Sequence, residues 1–508
     1  MRLHFGLTAL LLLAGVSMAS PAQAQYAGPY GSSLRSEFSS AQQQRDALRG
    51  GLVELRVDAA AYYVANMDLV SPPADEVNQA GLELAPGIYA AYRSARARGA
   101  IDYSLIGRAW EDSSYDDASH RLAANGDYTV VPELLFVRGS ASYDDAIVDP
   151  ARGGNYGGYG IFDRTNIQEF GAASVNPYLQ RRFSDFQFDV SYTYGRVWYL
   201  DDVETGSLFL DNQDSIDQTA LVSFGSADQD RAFDFRVFYE WQGSEFERSP
   251  DYRYDRAGLE LGARLARTLR LVADGGAESD LDVSTEDGGL DSEYWHVGLV
   301  WTPDARTVAE ARYGQRFFGD SWSLRISRQV RFVNIEATYE EDPTVETRNL
   351  ALGDFDPGEL PPTAPGDNLS SASSSPFVAR NAALAVVAEG ARTRLSLRGY
   401  RNERDYLQAL PPDETILGAQ LRLVRDFAAN VYGEFQFRYD DVEQGVVDPL
   451  SSVDVNSYQD QEYLLRVTYE AWTNLSPSLE AGFLQRTGQD FGLNYDGYWF
   501  ALRARYTF

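Results

Sequence analysis

The stretch Val431-Tyr432-Gly433-Glu434-Phe435-Gln436-Phe437-Arg438-Tyr439 decides how the chain is read. Val431, Gly433, Phe435, Phe437 and Tyr439 alternate with Tyr432, Glu434, Gln436 and Arg438. A period of two residues is that of an extended strand with one apolar and one polar face. The same rhythm recurs in Phe186, Phe188, Val190, Tyr192 and Tyr194, set against Gln187, Asp189, Ser191 and Thr193. It recurs again in Phe233 to Trp241, where Asp234, Arg236 and Glu240 take the polar positions, and in Leu259 to Leu265. From Gly51 to Phe508 the repeating unit is a run of roughly 10 to 16 alternating residues bounded by turn residues. No helical-period stretch of comparable length competes.

Working outward from these runs, the links between them alternate in character. Short links are expected at Ala97–Gly99, Val131–Glu133, Arg181–Asp185, Ala266–Leu269, Thr302–Arg306, Glu389–Arg392, Arg425–Ala428 and Thr473–Ser476. Longer, mostly acidic links fall at 65–81, 144–165, 201–214, 282–291, 343–376 and 441–457. Short turns on one rim and long loops on the other are the anatomy of an outer-membrane barrel, with turns in the periplasm and loops outside the cell. The expected fold is therefore all-β: a transmembrane, antiparallel, up-and-down barrel of about 22 strands, within a range of roughly 18 to 24. An even count places both termini on the periplasmic side. All eight Trp (110, 198, 241, 295, 301, 322, 472, 499) fall near expected strand ends, as aromatic girdles at the two membrane interfaces would require. The final run, with Phe500, Leu502, Ala504, Tyr506 and Phe508 on one face and Arg503 and Arg505 on the other, resembles the signal read by the outer-membrane assembly machinery.

Composition narrows the chemistry. The 508 residues carry no Cys, which excludes disulfides, thiol catalysis and Cys-ligated metals. Lysine is absent, so all 44 basic residues are Arg, against 75 carboxylates and a net charge of −31, which makes nucleic acid an unsuitable partner. Residues 1–24 read as a signal peptide: Arg2, the apolar run Leu7 to Val16, and Ala22-Gln23-Ala24, with cleavage after Ala24. Residues 25–50 form a short polar segment expected in the periplasm, and 51–508 the barrel. Those 26 residues are too few to plug a lumen of this width, so the pore is either open or occluded by loops. The Pro-, Gly- and Ser-rich segment 343–376 is the candidate gate; a solvated surface loop is the plainer reading.

The polar faces are charged, and parity assigns Arg264, Arg312, Arg316, Arg325, Arg394, Arg398, Arg422, Glu434, Arg438 and Arg466 to the lumen. Opposite charges on neighbouring strands would pair, giving either a self-neutralising rigid wall or a path for a hydroxyl-rich polymer. Catalysis finds no support. There is no G-x-S-x-G sequence, His296 alternates with apolar neighbours as a lumen-facing polar residue, and His120 starts a strand near the surface. Asp354-Phe355-Asp356-Pro357-Gly358-Glu359 lacks EF-hand spacing, so no metal site and no cofactor is expected. The acidic loops suit either divalent cations held beside lipopolysaccharide or simple solubility, and the two readings explain them equally well.

Two blocks carry a family resemblance. One is Trp295-x-Val297-Gly298-Leu299-Val300-Trp301-Thr302-Pro303-Asp304-Ala305-Arg306-Thr307. The other is Ala311-Arg312-Tyr313-Gly314-Gln315-Arg316-Phe317-Phe318-Gly319-Asp320-Ser321. Together they resemble the core of the exosortase/PEP-CTERM-associated outer-membrane β-barrel proteins. Tyr339-Glu340-Glu341-Asp342, Ser174-Val175-Asn176-Pro177-Tyr178-Leu179 and His120-Arg121-Leu122-Ala123-Ala124 resemble further blocks of that family. Asn176 replaces the commoner Ser, and Arg331-Phe332 a more basic turn. The resemblance extends over about residues 50 to 508 and is densest at 290–345. Its motifs are determinants of strands and turns and transfer no active site. What it implies is an association with exopolysaccharide loci. The expected function is the outer-membrane step of polysaccharide export, with a periplasmic polysaccharide-export protein as partner and outer-membrane lipids and lipopolysaccharide around the barrel. A general diffusion porin and a structural or adhesive barrel are the alternatives.

Overall fold

A computed structural model describes residues 51–69, 76–147, 167–200, 213–228, 231–281, 289–348, 375–407, 413–444, 457–470, 472–488 and 494–508. The expected signal peptide, the segment 25–50 and most of the long links lie outside these residues. The described strands are β1 (Gly51–Ala65), β2 (Gln79–Arg93), β3 (Ala97–Trp110), β4 (Asp117–Val131), β5 (Leu135–Ile147), β6 (Ile167–Phe183), β7 (Phe186–Tyr199), β8 (Ser215–Ser226), β9 (Phe233–Phe246), β10 (Tyr252–Ala266) and β11 (Leu269–Glu278). They continue as β12 (Ser292–Asp304), β13 (Thr307–Arg316), β14 (Gly319–Val330), β15 (Val333–Thr344), β16 (Phe377–Glu389), β17 (Thr393–Tyr406), β18 (Glu414–Ala428), β19 (Val431–Gln444), β20 (Tyr458–Tyr469), β21 (Leu475–Gly488) and β22 (Tyr495–Thr507).

Each strand pairs antiparallel with its sequence neighbours in one 22-stranded sheet. The sheet closes where β1 meets β22, from Arg56↔Thr507 to Ala65↔Tyr498, and the Phe508 amide extends the seam by donating to the Leu55 carbonyl at 2.8 Å. Closure leaves no free strand edge, so the strands satisfy their backbone groups against one another rather than against water. The shortest strands have 10 residues and the longest 17, enough to cross a hydrocarbon layer at the tilt such barrels adopt.

The alternation sorts the side chains as expected. Leu82 and Leu84 on β2, Leu259 and Leu261 on β10, Val297 and Leu299 on β12, and Leu479 on β21 point out of the barrel and are exposed. A belt of this size around a soluble protein would drive association; facing lipid, it is the favourable surface. The opposite face carries ion pairs between residues two strands apart, such as Arg56 on β1 with Asp102 on β3. That face is the lumen. The molecule is a membrane-spanning barrel of the outer-membrane type.

Several expected details are corrected. Six of the eight Trp lie on the outer surface or rim, but Trp110 and Trp499 face inward and are 8% and 1% exposed. Trp110 shares its face with Arg108, and Trp499 with Arg503, so period-two parity directs both into the lumen. Some expected links are strand instead: Ala97–Gly99 opens β3 and Arg425–Ala428 closes β18. Two further short links, 227–232 and 331–332, join β8 to β9 and β14 to β15 on the short-turn rim. On the opposite rim several links are also short, 111–116 and 247–251 among them, and one is tighter still. Phe317-Phe318 joins β13 to β14 in two residues, with Arg316 opposite Gly319. Gly319 takes φ +112°, a conformation open to glycine and strained for L side chains.

The last strand offers a direct check of the lipid-facing assignment. Phe500, Leu502, Tyr506 and Phe508 are all exposed on the outer face. Replacing Tyr506 and Phe508 with Ser should leave unassembled, degraded chain, read as loss of the compact species that runs differently in unheated and boiled SDS samples. Wild-type amounts of that species would refute the assignment.

Candidate functional site in the barrel lumen

The inner wall of β9 to β15 is a ladder of paired charges. Arg270 holds Asp234 through Nε at 3.0 Å and through a second, shorter contact from Nη2. Arg312 sits at the centre of the wall, with Nη1 at 3.1 Å from Glu260 and 3.0 Å from Asp274, and Nε at 2.6 Å from Glu310. Asp274 also takes the His296 ring at 3.0 Å, so His296 is a lumen-facing polar residue in a charge network. Outside the barrel, His120 pairs with the Tyr103 hydroxyl at 2.8 Å. The strand period puts these groups on one face, and cross-strand spacing brings opposite signs into contact. Planar guanidinium groups satisfy several carboxylates at once.

Nearer the long-loop rim the network becomes fully buried. Arg316 reaches Glu278 at 2.9 Å, Asp342 at 2.9 Å, the Glu341 carbonyl at 3.0 Å and the Tyr254 hydroxyl at 2.6 Å. Glu278, 0% exposed, also accepts from the Phe317 amide at 3.0 Å. One guanidinium thus ties β10, β11, β13 and β15 together beneath the two-residue link.

At the end of β15 the chain turns into the lumen. Thr344, Val345 and Thr347 are each 0% exposed, and Pro343 and Glu346 are buried with them. Val345 packs among Tyr252, Tyr254 and Leu281, with Phe246 and Leu407 at the edge. On one side Arg348 donates to the carbonyls of Gln218 at 3.0 Å and Gly243 at 3.4 Å, and to the Thr219 hydroxyl at 2.6 Å. Thr347 donates to Asp217 at 3.3 Å, and Ser215 and Ser244 donate to the same carboxylate. On the other side Glu346 pairs with Arg404 at 2.9 Å, and Arg404 lies 3.6 Å from Glu414. Residues 343–348 therefore join β8–β9 to β17–β18, walls eight to ten strands apart around the ring. The segment is a strap across the bore. It is the first part of the expected gate 343–376, of which residues 349–374 fall outside the described residues.

At the short-turn rim the bore opens instead. A cavity of about 990 Å³ lies against β1–β4 and β17–β22 and extends to the turn residues Ala391, Arg392 and Ala429. Arg466 joins Glu434 at 3.2 Å and Glu480 at 2.8 Å; Arg422 joins Glu434 at 2.7 Å; Arg505 joins Asp58 at 2.7 Å. Arg108 and Glu83, nearly inaccessible, pair at 2.9 Å.

All ten candidate lumen residues lie on the inner face, yet they form no single site. Arg394, Arg422, Glu434 and Arg466 meet in the cavity, whereas Arg312 and Arg316 belong to the β13 wall. Arg438 bonds Asp440 at 2.6 Å, and Arg398 lies over the Tyr400 ring. Arg264 and Arg325 are exposed on the same inner parity. Residues that sequence reasoning passed over include Glu346, Arg348 and Asp217, which anchor the strap, and Arg486, whose fork clasps Asp460 at 2.6 Å above the Tyr458 ring. Parity alone could have placed Asp217 and Arg486; composition marks 343–376 as a candidate gate, but nothing in the sequence names the wall residues that hold the strap. The motif residues are structural. Trp301 is half-exposed on the outside, Pro303 sits near the end of β12, and the Arg306 amide caps Asp304 at 2.8 Å. Tyr313 packs against Trp322 with the two rings tilted, and a Cβ at Gly314 would lie 1.8 Å from the Trp295 carbonyl oxygen. Phe317 packs against the Tyr252–Tyr254 cluster, and Phe318 lies beneath Arg316.

A closed, lipid-facing barrel with a charged bore defines the class: an outer-membrane β-barrel protein. Solved structures similar to this chain are of that class. The FrpB iron transporter from Neisseria meningitidis (F3-3 variant) aligns at TM-score 0.49 and 10% identity, over 91% of this chain and 83% of that one. A mutant of the ferric enterobactin receptor PfeA from Pseudomonas aeruginosa gives 0.45 at 10% identity, over 90% and 80%. OprD from Pseudomonas aeruginosa gives 0.32 at 12% identity, over 90% and 95%. At these values the likeness carries no inference about what passes through the bore. No protein-family model matches the chain, and no curated protein sequence does.

Proposed function

We propose that this barrel moves a polysaccharide outward across the outer membrane, receiving it from a periplasmic export protein, and that it acts by transport rather than catalysis. The observation that supports this reading most is the strap, because a bore bridged from β8–β9 to β17–β18 suits a conduit opened on demand better than a permanently open diffusion pore. The inner wall adds a continuous lining of guanidinium, carboxylate and Tyr hydroxyl groups, all able to exchange hydrogen bonds with sugar hydroxyls. The resemblance of the Trp295–Thr307 and Ala311–Ser321 blocks to exosortase/PEP-CTERM-associated barrels points the same way. The test is a deletion strain. Loss of surface polysaccharide with unchanged uptake of small solutes is the expected result. Intact surface polysaccharide, together with impaired solute uptake, would replace this reading with a diffusion porin.

A further inference from the structure

The cavity at the short-turn rim reverses the charge balance of the protein around it. Among the described residues its lining has nine Arg and seven carboxylates, whereas the whole chain has 44 basic residues against 75 acidic ones. A polyanion approaching a molecule of net charge −31 is repelled. Within a Debye length of about 8 Å, however, the nearest charges dominate. A neutral ligand gains nothing from such an inversion. An acidic one needs it.

The geometry also fits that class. The cavity lies at the turns 391–392 and 429, the periplasmic mouth of a barrel in this orientation, so it is the first surface a substrate leaving the periplasm meets. Its arginines come from both sides of the β1–β22 seam: Arg56, Arg503 and Arg505 from the seam strands, Arg394, Arg422 and Arg466 from β17, β18 and β20. Guanidinium groups recognise carboxylates by paired N–H donors, a geometry a lysine-lined mouth would not offer. Thr468, Ser478 and Gln436 stand between them to meet hydroxyls. From this we infer that the vestibule is a receiving site for a glycan bearing acidic groups along its chain, of the uronic-acid type. The inference rests on the export reading for its polymer and on the cavity for its charge class.

The test uses the purified full-length barrel in detergent, its folded state checked by the mobility difference between unheated and boiled samples. A short oligogalacturonate and a neutral malto-oligosaccharide of equal length are titrated by calorimetry at low and at physiological salt. The uronate should bind at least about tenfold more tightly, about 1.4 kcal/mol, and weaken as salt rises. Arg392 and Arg394 are exposed side chains at the mouth, so Arg392→Gln with Arg394→Gln should fold normally and lose most of that preference. Equal binding of the two sugars, tighter binding of the neutral one, no binding of the uronate, or an unchanged preference in the double variant would each overturn the proposal. The two readings fail separately. A deletion strain without surface polymer whose barrel ignores uronate keeps export and discards the acidic class. A barrel that prefers uronate in a strain with intact surface polymer keeps the charge class and discards export.

Discussion

Replacing Arg316 with Leu is expected to cost the barrel about 3–5 kcal/mol, the cost of stranding a buried partner of a broken ion pair. Glu278 is 0% exposed and has Arg316 as its cationic partner at 2.9 Å; Asp342 loses the same guanidinium. The Tyr254 hydroxyl and Phe317 amide would still face Glu278, but two neutral donors do not offset a buried charge. The midpoint of urea unfolding for barrels refolded into lipid should fall accordingly. The double variant Arg316→Leu, Glu278→Leu should recover much of the loss, because the fully buried carboxylate leaves with its partner and Asp342 keeps some contact with solvent. If the single and double variants unfold together, the node contributes nothing specific.

The second large effect is expected in conductance. Glu346→Gln with Arg348→Gln removes the strap's ion pair to Arg404 on one wall and its guanidinium contacts with Gln218, Thr219 and Gly243 on the other. Glu346→Gln is isosteric, Arg348→Gln shortens the side chain and adds no bulk, and both residues lie beyond the last residue of β15, so the barrel itself should assemble. Single channels in planar bilayers should then pass severalfold more current than wild type, with long open periods where the wild type is mostly closed. Unchanged conductance would mean that residues 343–348 do not set the narrowest section.

The contrast between strands and strap explains what the sequence disclosed. Phe435, Phe437 and Tyr439 alternate with Glu434, Gln436 and Arg438 because each strand of a membrane barrel meets lipid on one side and a polar bore on the other. That pattern is local, so strand number and inner face could be read from it. The inward Trp110 and Trp499 carried the same information in their parity with Arg108 and Arg503, but an aromatic near a strand end also reads as a girdle residue. The strap has no period. Pro343-Thr344-Val345-Glu346-Thr347-Arg348 owes its place to Asp217, Gly243 and Arg404, residues 58 to 130 positions away, and only the closed ring brings them together. The cavity is likewise a property of the seam, where Arg505 meets Asp58 across 447 positions of chain.

That seam has a consequence for biogenesis. Joining ends 447 residues apart costs a free chain about 5 kcal/mol in loop-closure entropy, roughly 2 kcal/mol more than closing an ordinary hairpin of a few tens of residues. Twenty-one neighbouring pairings can form progressively as the polypeptide arrives, but β1 has no second partner until β22 exists. Until then the growing sheet has two bare edges, each able to recruit a foreign strand. A chain with its closing strand last must therefore mature while something else occupies those edges, and the ring becomes self-sufficient only when its final thirteen-residue strand is handed over.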